Sequence, residues 1–151
     1  MTSSAIQQLF AERGVQAGHV RTRSDSYALP TYRWLIEEAP IAWSKAMRRM
    51  GVRYYDGSYV CRHITLQCCL ACLLWHAESN PDVPDPLAMG PIQYQPDEAG
   101  LDGHARVAAI TDAGIIILEP QRSTSGLGSC LQEKTLSAGE WQSPLFFADL
   151  L

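Results

Sequence analysis

The sequence has no apolar run long enough to span a membrane, no basic leader, no cluster of cations and few charges of either sign, 19% of its 151 residues. Each absence bears on function. A membrane helix needs about 18 or more consecutive apolar residues. The longest candidate, Ile64 to Trp75, contains Thr65 and Gln67 and reads as a buried helix. The opening Met-Thr-Ser-Ser-Ala-Ile-Gln-Gln lacks the basic start and apolar stretch of a secretory signal, so a cytoplasmic protein is expected. Net charge is −4 and unevenly split: residues 1–60 carry eight Lys/Arg against five Asp/Glu, and residues 61–151 carry four against eleven. That acidic majority argues against a nucleic-acid surface, which needs clustered cations to displace phosphate counterions. Arg48-Arg49 and Arg21/Arg23 are too sparse to reverse it.

Paired cysteines are missing too. Cys61, Cys68, Cys69, Cys72 and Cys130 are an odd number, and the first four fall within twelve residues. Neighbours on one or two turns of a helix have the wrong geometry for disulfides, which points to free thiols in a reducing compartment. What the chain does have is apolar content, 46%, enough for a real core in one domain spanning 1–151.

The first part, 1–51, reads as helical with interruptions. Ala5 to Arg13 forms an amphipathic helix ended by Gly14, and a polar stretch follows at Arg21 to Ser26. A second helix runs from Thr31 to about Glu38, where Pro40 disturbs it, and a third from Ile41 to Met50 stops at Gly51. These helices look like a cover for what lies downstream. Val52 to Tyr59, aromatic and β-prone around Asp56-Gly57, is a small hairpin or a loop. Ile64 to Trp75 is apolar almost all round, the pattern of a helix in the middle of a domain. Five prolines and three glycines in 79–103 predict a long loop with at most a short strand at Ile92 to Gln95. His104 to Ile110 and Ile115 to Glu119, separated by Thr111-Asp112-Ala113-Gly114, predict a β-hairpin. The Gly/Ser-rich stretch 122–139 is polar, and the apolar end, Trp141 to Leu151, packs back onto the domain.

The residues with chemical potential come in a particular order: Cys61 at the head of a buried helix, His104 at the start of a strand, Glu119 near the end of the partner strand. A helix N-terminus stabilises a thiolate through its unpaired N–H groups. A histidine takes and returns the proton, and a carboxylate on the adjoining strand fixes the imidazole's tautomer. A two-residue turn at Asp112-Ala113 would set Glu119 opposite Arg106 and on the same sheet face as His104, whereas a three-residue loop or a bulge at Gly114 would change that parity.

These stretches resemble a family. Tyr59-Val-Cys61-Arg-His-Ile-Thr65 looks like the cysteine-bearing helix start of papain-like and transglutaminase-like cysteine enzymes. Gly103-His104-Ala105, with Ile-Ile-Ile-Leu-Glu119-Pro120-Gln121, resembles segments of the papain-like proteolytic domain of a fungal ricin-type agglutinin and of small bacterial and phage proteins. The resemblance covers roughly residues 50–125. It implies an α+β fold with a central buried helix on a small antiparallel sheet, under a helical N-terminal cover. Within the core, 52–151, it implies a Cys61 nucleophile, a His104 base and a Glu119 orienting group, with the loop 79–103 bordering the cleft. Arg62 and His63 stand where the agglutinin-like pattern has acidic residues that help bind calcium, so no metal and no cofactor are expected. No glutamine lies between Gln16 and Gln67 to complete an oxyanion hole. Tyr54 or Tyr55 is the substitute donor, together with the Cys61 N–H, and Gln121 joins the cleft.

Other readings stand beside this one. Cys68, Cys69 and Cys72, among leucines, read as small core hydrophobes. Cys68, Cys72 and His76 share a helical face, and Cys61 or His63 would complete a zinc set, although structural zinc sites draw two short ligand pairs from separate elements. His104 in a strand is also compatible with a bond to a carbonyl. The expected activity is a cysteine-dependent attack on an amide of a peptide or protein substrate. The alternative is a catalytically inactive fold that serves as a bacterial or phage protein-interaction module.

Overall fold

The computed structural model describes residues 1–50, 61–97, 103–120 and 131–151. The elements in chain order are α1 (Ser3–Ala11), β1 (Val20–Thr22), α2 (Tyr32–Glu37), α3 (Ala39–Met50), α4 (Cys61–Ser79), β2 (Met89–Tyr94), β3 (His104–Thr111), β4 (Gly114–Glu119), β5 (Gln132–Lys134), α5 (Ala138–Trp141) and β6 (Phe147–Leu150). This is an α+β fold. The strands form one sheet in the order β1-β6-β2-β3-β4-β5, antiparallel throughout except for the parallel pair β1–β6.

Alternation along the strands divides the core between the sheet's two faces. On one face Ile6 and Phe10 of α1 pack with Tyr94, Ala108, Ile110, Ile117, Trp141 and Phe146. On the other, Leu35, Trp43, Ile64, Cys68, Cys69 and Cys72 from α2, α3 and α4 pack with Met89, Val107, Ala109 and Leu118. The N-terminal part is therefore not a single helical cover. Its helices lie on opposite faces, and the stretch read as polar overlaps β1, which pairs with β6 from the far end of the chain. A three-residue parallel strand whose partner lies more than a hundred residues away leaves no local pattern to read.

The break expected at about Glu38 is present, but Pro40 itself is helical. It occupies the first turn of α3, where no intrahelical N–H is required. The Pro-rich segment is likewise more regular than its composition suggests, because Met89–Tyr94 is an interior strand that contains Pro91. The Ile110 N–H donates to the Ala88 carbonyl, so even-numbered β2 residues bond β3 and Pro91 turns its nitrogen toward β6. β6 pairs with Ile92 and Gln93, and beyond the proline the Leu151 N–H donates to the Met89 carbonyl, so the ladder continues on both sides of Pro91 although the proline itself donates nothing.

α4 also departs from expectation. It packs against α3, β2 and β3 along one side, but Leu66, Leu70 and Leu74 are exposed, so it lies on the sheet with an open outer face instead of being enclosed. No helix among the described residues is long and apolar enough to cross a membrane.

Of the described glycines, Gly90 leaves the least room for a side chain. A Cβ there would lie 2.1 Å from the Asp149 carbonyl oxygen and 2.7 Å from the Leu150 Cα, so β6 sits directly against the glycine. Gly90→Ala is expected to displace β6 and to lower the unfolding free energy by about 3 kcal/mol, as overpacking against an unyielding backbone does. Urea denaturation followed by circular dichroism measures this.

Candidate active site

The β3–β4 hairpin has a two-residue turn, with Thr111 paired to Gly114 and Val107 to Leu118. That register carries Glu119 opposite Arg106, on the sheet face His104 shares. His104 Nε2 and Glu119 Oε2 are 2.7 Å apart, and the Arg106 Nε–H donates to the same oxygen at 3.0 Å. Trp43, fully buried in α3, donates its indole N–H to the Pro120 carbonyl at 3.2 Å and so holds the end of β4 just beyond Glu119.

Cys61 comes from the other side of the sheet, at the head of α4. Its approach is set one turn further along, where the buried Thr65 hydroxyl donates to the Ala105 carbonyl at 3.1 Å. Ala105 follows His104, so this bond fixes the helix against the strand beside the imidazole. The backbone N–H groups of Ala105 and Arg62 donate to the Cys61 sulfur. The thiol itself is hydrogen-bonded to His104. Glu119 occupies Nε2, which leaves Nδ1 as the ring nitrogen for the sulfur. Gly103, at φ +110°, turns the chain into β3 immediately before His104, a conformation open to glycine and strained for other residues.

The electrostatics follow from these contacts. The hydrogen bond to His104 pulls the Cys61 thiol below its ordinary value of 9.0, against the opposing effect of burial, and the two backbone N–H groups assist. The bonds to Cys61 and Glu119 raise His104 from 6.5 to about 9, again against burial. The His104 and Glu119 side chains are only 18% and 12% exposed, so bulk water screens this pair weakly. Tyr94 presents its ring edge-on to the imidazole, with centroids 6.1 Å apart, and Arg106 lies over the same ring. Burial pushes the Tyr94 phenol up, so it stays neutral beside the charged groups.

A cleft of about 410 Å³ opens above the thiol, and Cys61, Arg62, Gln93, His104 and Leu145 are among its lining residues. Of the residues singled out from the sequence, the structure brings Cys61, His104 and Glu119 together. Tyr54, Tyr55 and Gln121 lie outside the described residues, as does Cys130. The loop expected to border the cleft does so partly as strand, through Gln93 and Tyr94 of β2. Gln93 went unrecognised as a site residue because it lies downstream of Cys61 and reaches the cleft through its pairing with Ala105. The one local signal was its polar side chain between Ile92 and Tyr94, both buried. Thr65 was legible only as an interruption of an apolar run.

The zinc set does not assemble. The Cys72 thiol donates to the Ala39 carbonyl at 3.9 Å, and His76 lies edge-on to the Trp34 ring. Burial pushes the Cys69 thiol well up, which keeps it protonated. Among the described residues no group of three His, Cys, Asp or Glu side chains is arranged to hold a metal ion. His104 bonds a carboxylate rather than a carbonyl.

The chain matches no family model, no curated protein and no solved structure at a significant level.

Thr65→Val removes the clamp with little change of shape. It leaves the Ala105 carbonyl without its hydroxyl donor, so a loss of about 1–2 kcal/mol of stability is expected by thermal unfolding. The Cys61 thiolate titration, followed by ultraviolet absorbance, should at the same time move up toward that of an ordinary thiol.

Proposed function

We propose that the protein is a cysteine-dependent amide hydrolase or acyl transferase, of the papain-like or transglutaminase-like kind, acting on a peptide or protein amide. The observation that carries this reading is the unbroken chain of contacts from the Cys61 thiol through the His104 imidazole to the Glu119 carboxylate, at the floor of an open cleft. A lowered thiol next to a raised imidazole is a pair poised as thiolate and imidazolium.

In this mechanism the Cys61 sulfur attacks the amide carbonyl carbon and pushes the π electrons onto oxygen. The oxyanion takes hydrogen bonds from the Cys61 backbone N–H at the helix start and from the Gln93 side-chain amide across the cleft. Collapse of the tetrahedral adduct breaks the C–N bond as imidazolium Nδ1 gives its proton to the departing amine. The thioester is then resolved by water, or by a second amine, with neutral His104 taking the incoming proton and Cys61 leaving as thiolate. Glu119 holds Nε2–H throughout, and Arg106 aims the carboxylate by donating to the same oxygen. Leu145 at the rim offers an apolar contact for a substrate side chain. A reducing compartment such as the cytoplasm suits the chemistry, since the four described cysteines are free thiols.

Iodoacetamide labelling with peptide mapping tests this. Cys61 is expected to alkylate first, at mildly acidic pH, and His104→Ala to slow that labelling about a hundredfold or more. Slow or indiscriminate labelling of the native chain would overturn the proposal and turn the search toward binding partners. The pH profile separates chemistry from mere reactivity. Alkylation needs only thiolate, so it rises through the lowered Cys61 value and then stays level. Amide turnover also needs the imidazolium proton and is expected to fall as pH rises through about 9.

A further inference from the structure

The outer face of α4 is apolar where a helix lying on a sheet ordinarily turns charge to solvent. Ile64, Thr65, Cys68, Cys69 and Cys72 form its buried side. Leu66, Leu70 and Leu74 stand on the other, 39%, 46% and 64% exposed. At about 100° per residue, Leu70 points almost directly away from the middle of the buried set. Exposed leucines in a row mark an interaction surface more often than chance surface composition.

The row identifies its occupant. At a spacing of four residues it reads Arg62, Leu66, Leu70, Leu74, Glu78: a cation, three leucines and an anion, with both ends exposed. The pattern complements itself when reversed about Leu70. A second α4 laid antiparallel on the first would set Leu70 against Leu70 on a two-fold axis, each Leu66 against a Leu74, and each Arg62 against a Glu78. Parallel pairing would bring Arg62 onto Arg62. We propose that this face is the interface of a homodimer, isologous and antiparallel, with its axis at Leu70. Rows at this spacing interdigitate when two helices cross at about −50°. The leucines supply the affinity, while exposed ion pairs are each worth little and set direction and register. Arg62 also lines the cleft beside Cys61, so dimerisation brings a carboxylate of the second copy to the rim of that cleft.

Sedimentation equilibrium of the full chain tests this. The native protein is expected to dimerise and Leu70→Glu, a change at an exposed position that leaves the fold intact, to be monomeric. Arg62→Glu and Glu78→Arg should each weaken the dimer about tenfold, since two exposed pairs turn from attraction to repulsion. The double variant, with both charges exchanged, should return to near the native affinity. A native chain that is monomeric at every concentration, a Leu70→Glu variant that still dimerises, or a double variant no tighter than the single ones overturns the proposal.

Discussion

The turn at Asp112-Ala113 sets the parity of β3 against β4, and the candidate site depends on that parity. Slippage by one residue would send Glu119 to the opposite face of the sheet from His104, with its carboxylate among Leu118's neighbours and unpaired. With the two-residue turn, Glu119 meets both His104 and Arg106. Everything else at the site is fitted to β3: the Thr65 clamp ties α4 to Ala105, Gln93 pairs across from the same residue, and Tyr94 packs on both His104 and Arg106. The imidazole and thiol therefore meet through regular secondary structure, which holds a site more rigidly than loops do.

One carboxylate oxygen receives two donors, and this division has consequences. A hydrogen bond to a charged group is worth about 1.5–3 kcal/mol net, against about 0–1 for exposed ion pairs elsewhere on the surface. The Glu119 contacts belong nearer the first class, because the side chains involved are mostly shielded from water. Arg106 favours the ionised carboxylate, and the ionised carboxylate favours imidazolium over imidazole. The thiol then loses its proton to the ring more readily than a solvated cysteine would. Cys69, two turns away and fully enclosed, has a raised value instead. The same residue type on the same helix is pushed in opposite directions by its surroundings.

How much of this was legible in the sequence depended on how local the determinants were. The hairpin was readable because its turn and both strands lie within sixteen consecutive residues, and the helix start at Cys61 because an apolar run follows it. Pairings that join distant segments were not: β1 with β6, or β6 beside Gly90, leave only short, ordinary stretches in the chain. Pro91 misled because proline argues against an interior strand, and the pairings with β3 and β6 that hold this one come from distant segments. The leucines of α4 misled differently. Apolar residues all round a helix suggest enclosure by the chain's own core, and the pattern by itself does not say that a second copy is to supply part of the cover.

The proposed mechanism needs His104 held as an imidazolium between a thiolate and a carboxylate. Nitrogen NMR of the His104 ring against pH measures this directly, since both ring nitrogens are protonated in the imidazolium and one is not in the neutral ring. The ring is expected to stay protonated well above the ordinary 6.5, titrating at about 9 and dropping toward the ordinary value in Glu119→Gln. A ring that titrates near 6.5 in the native protein, with the Cys61 thiol still protonated, would contradict it.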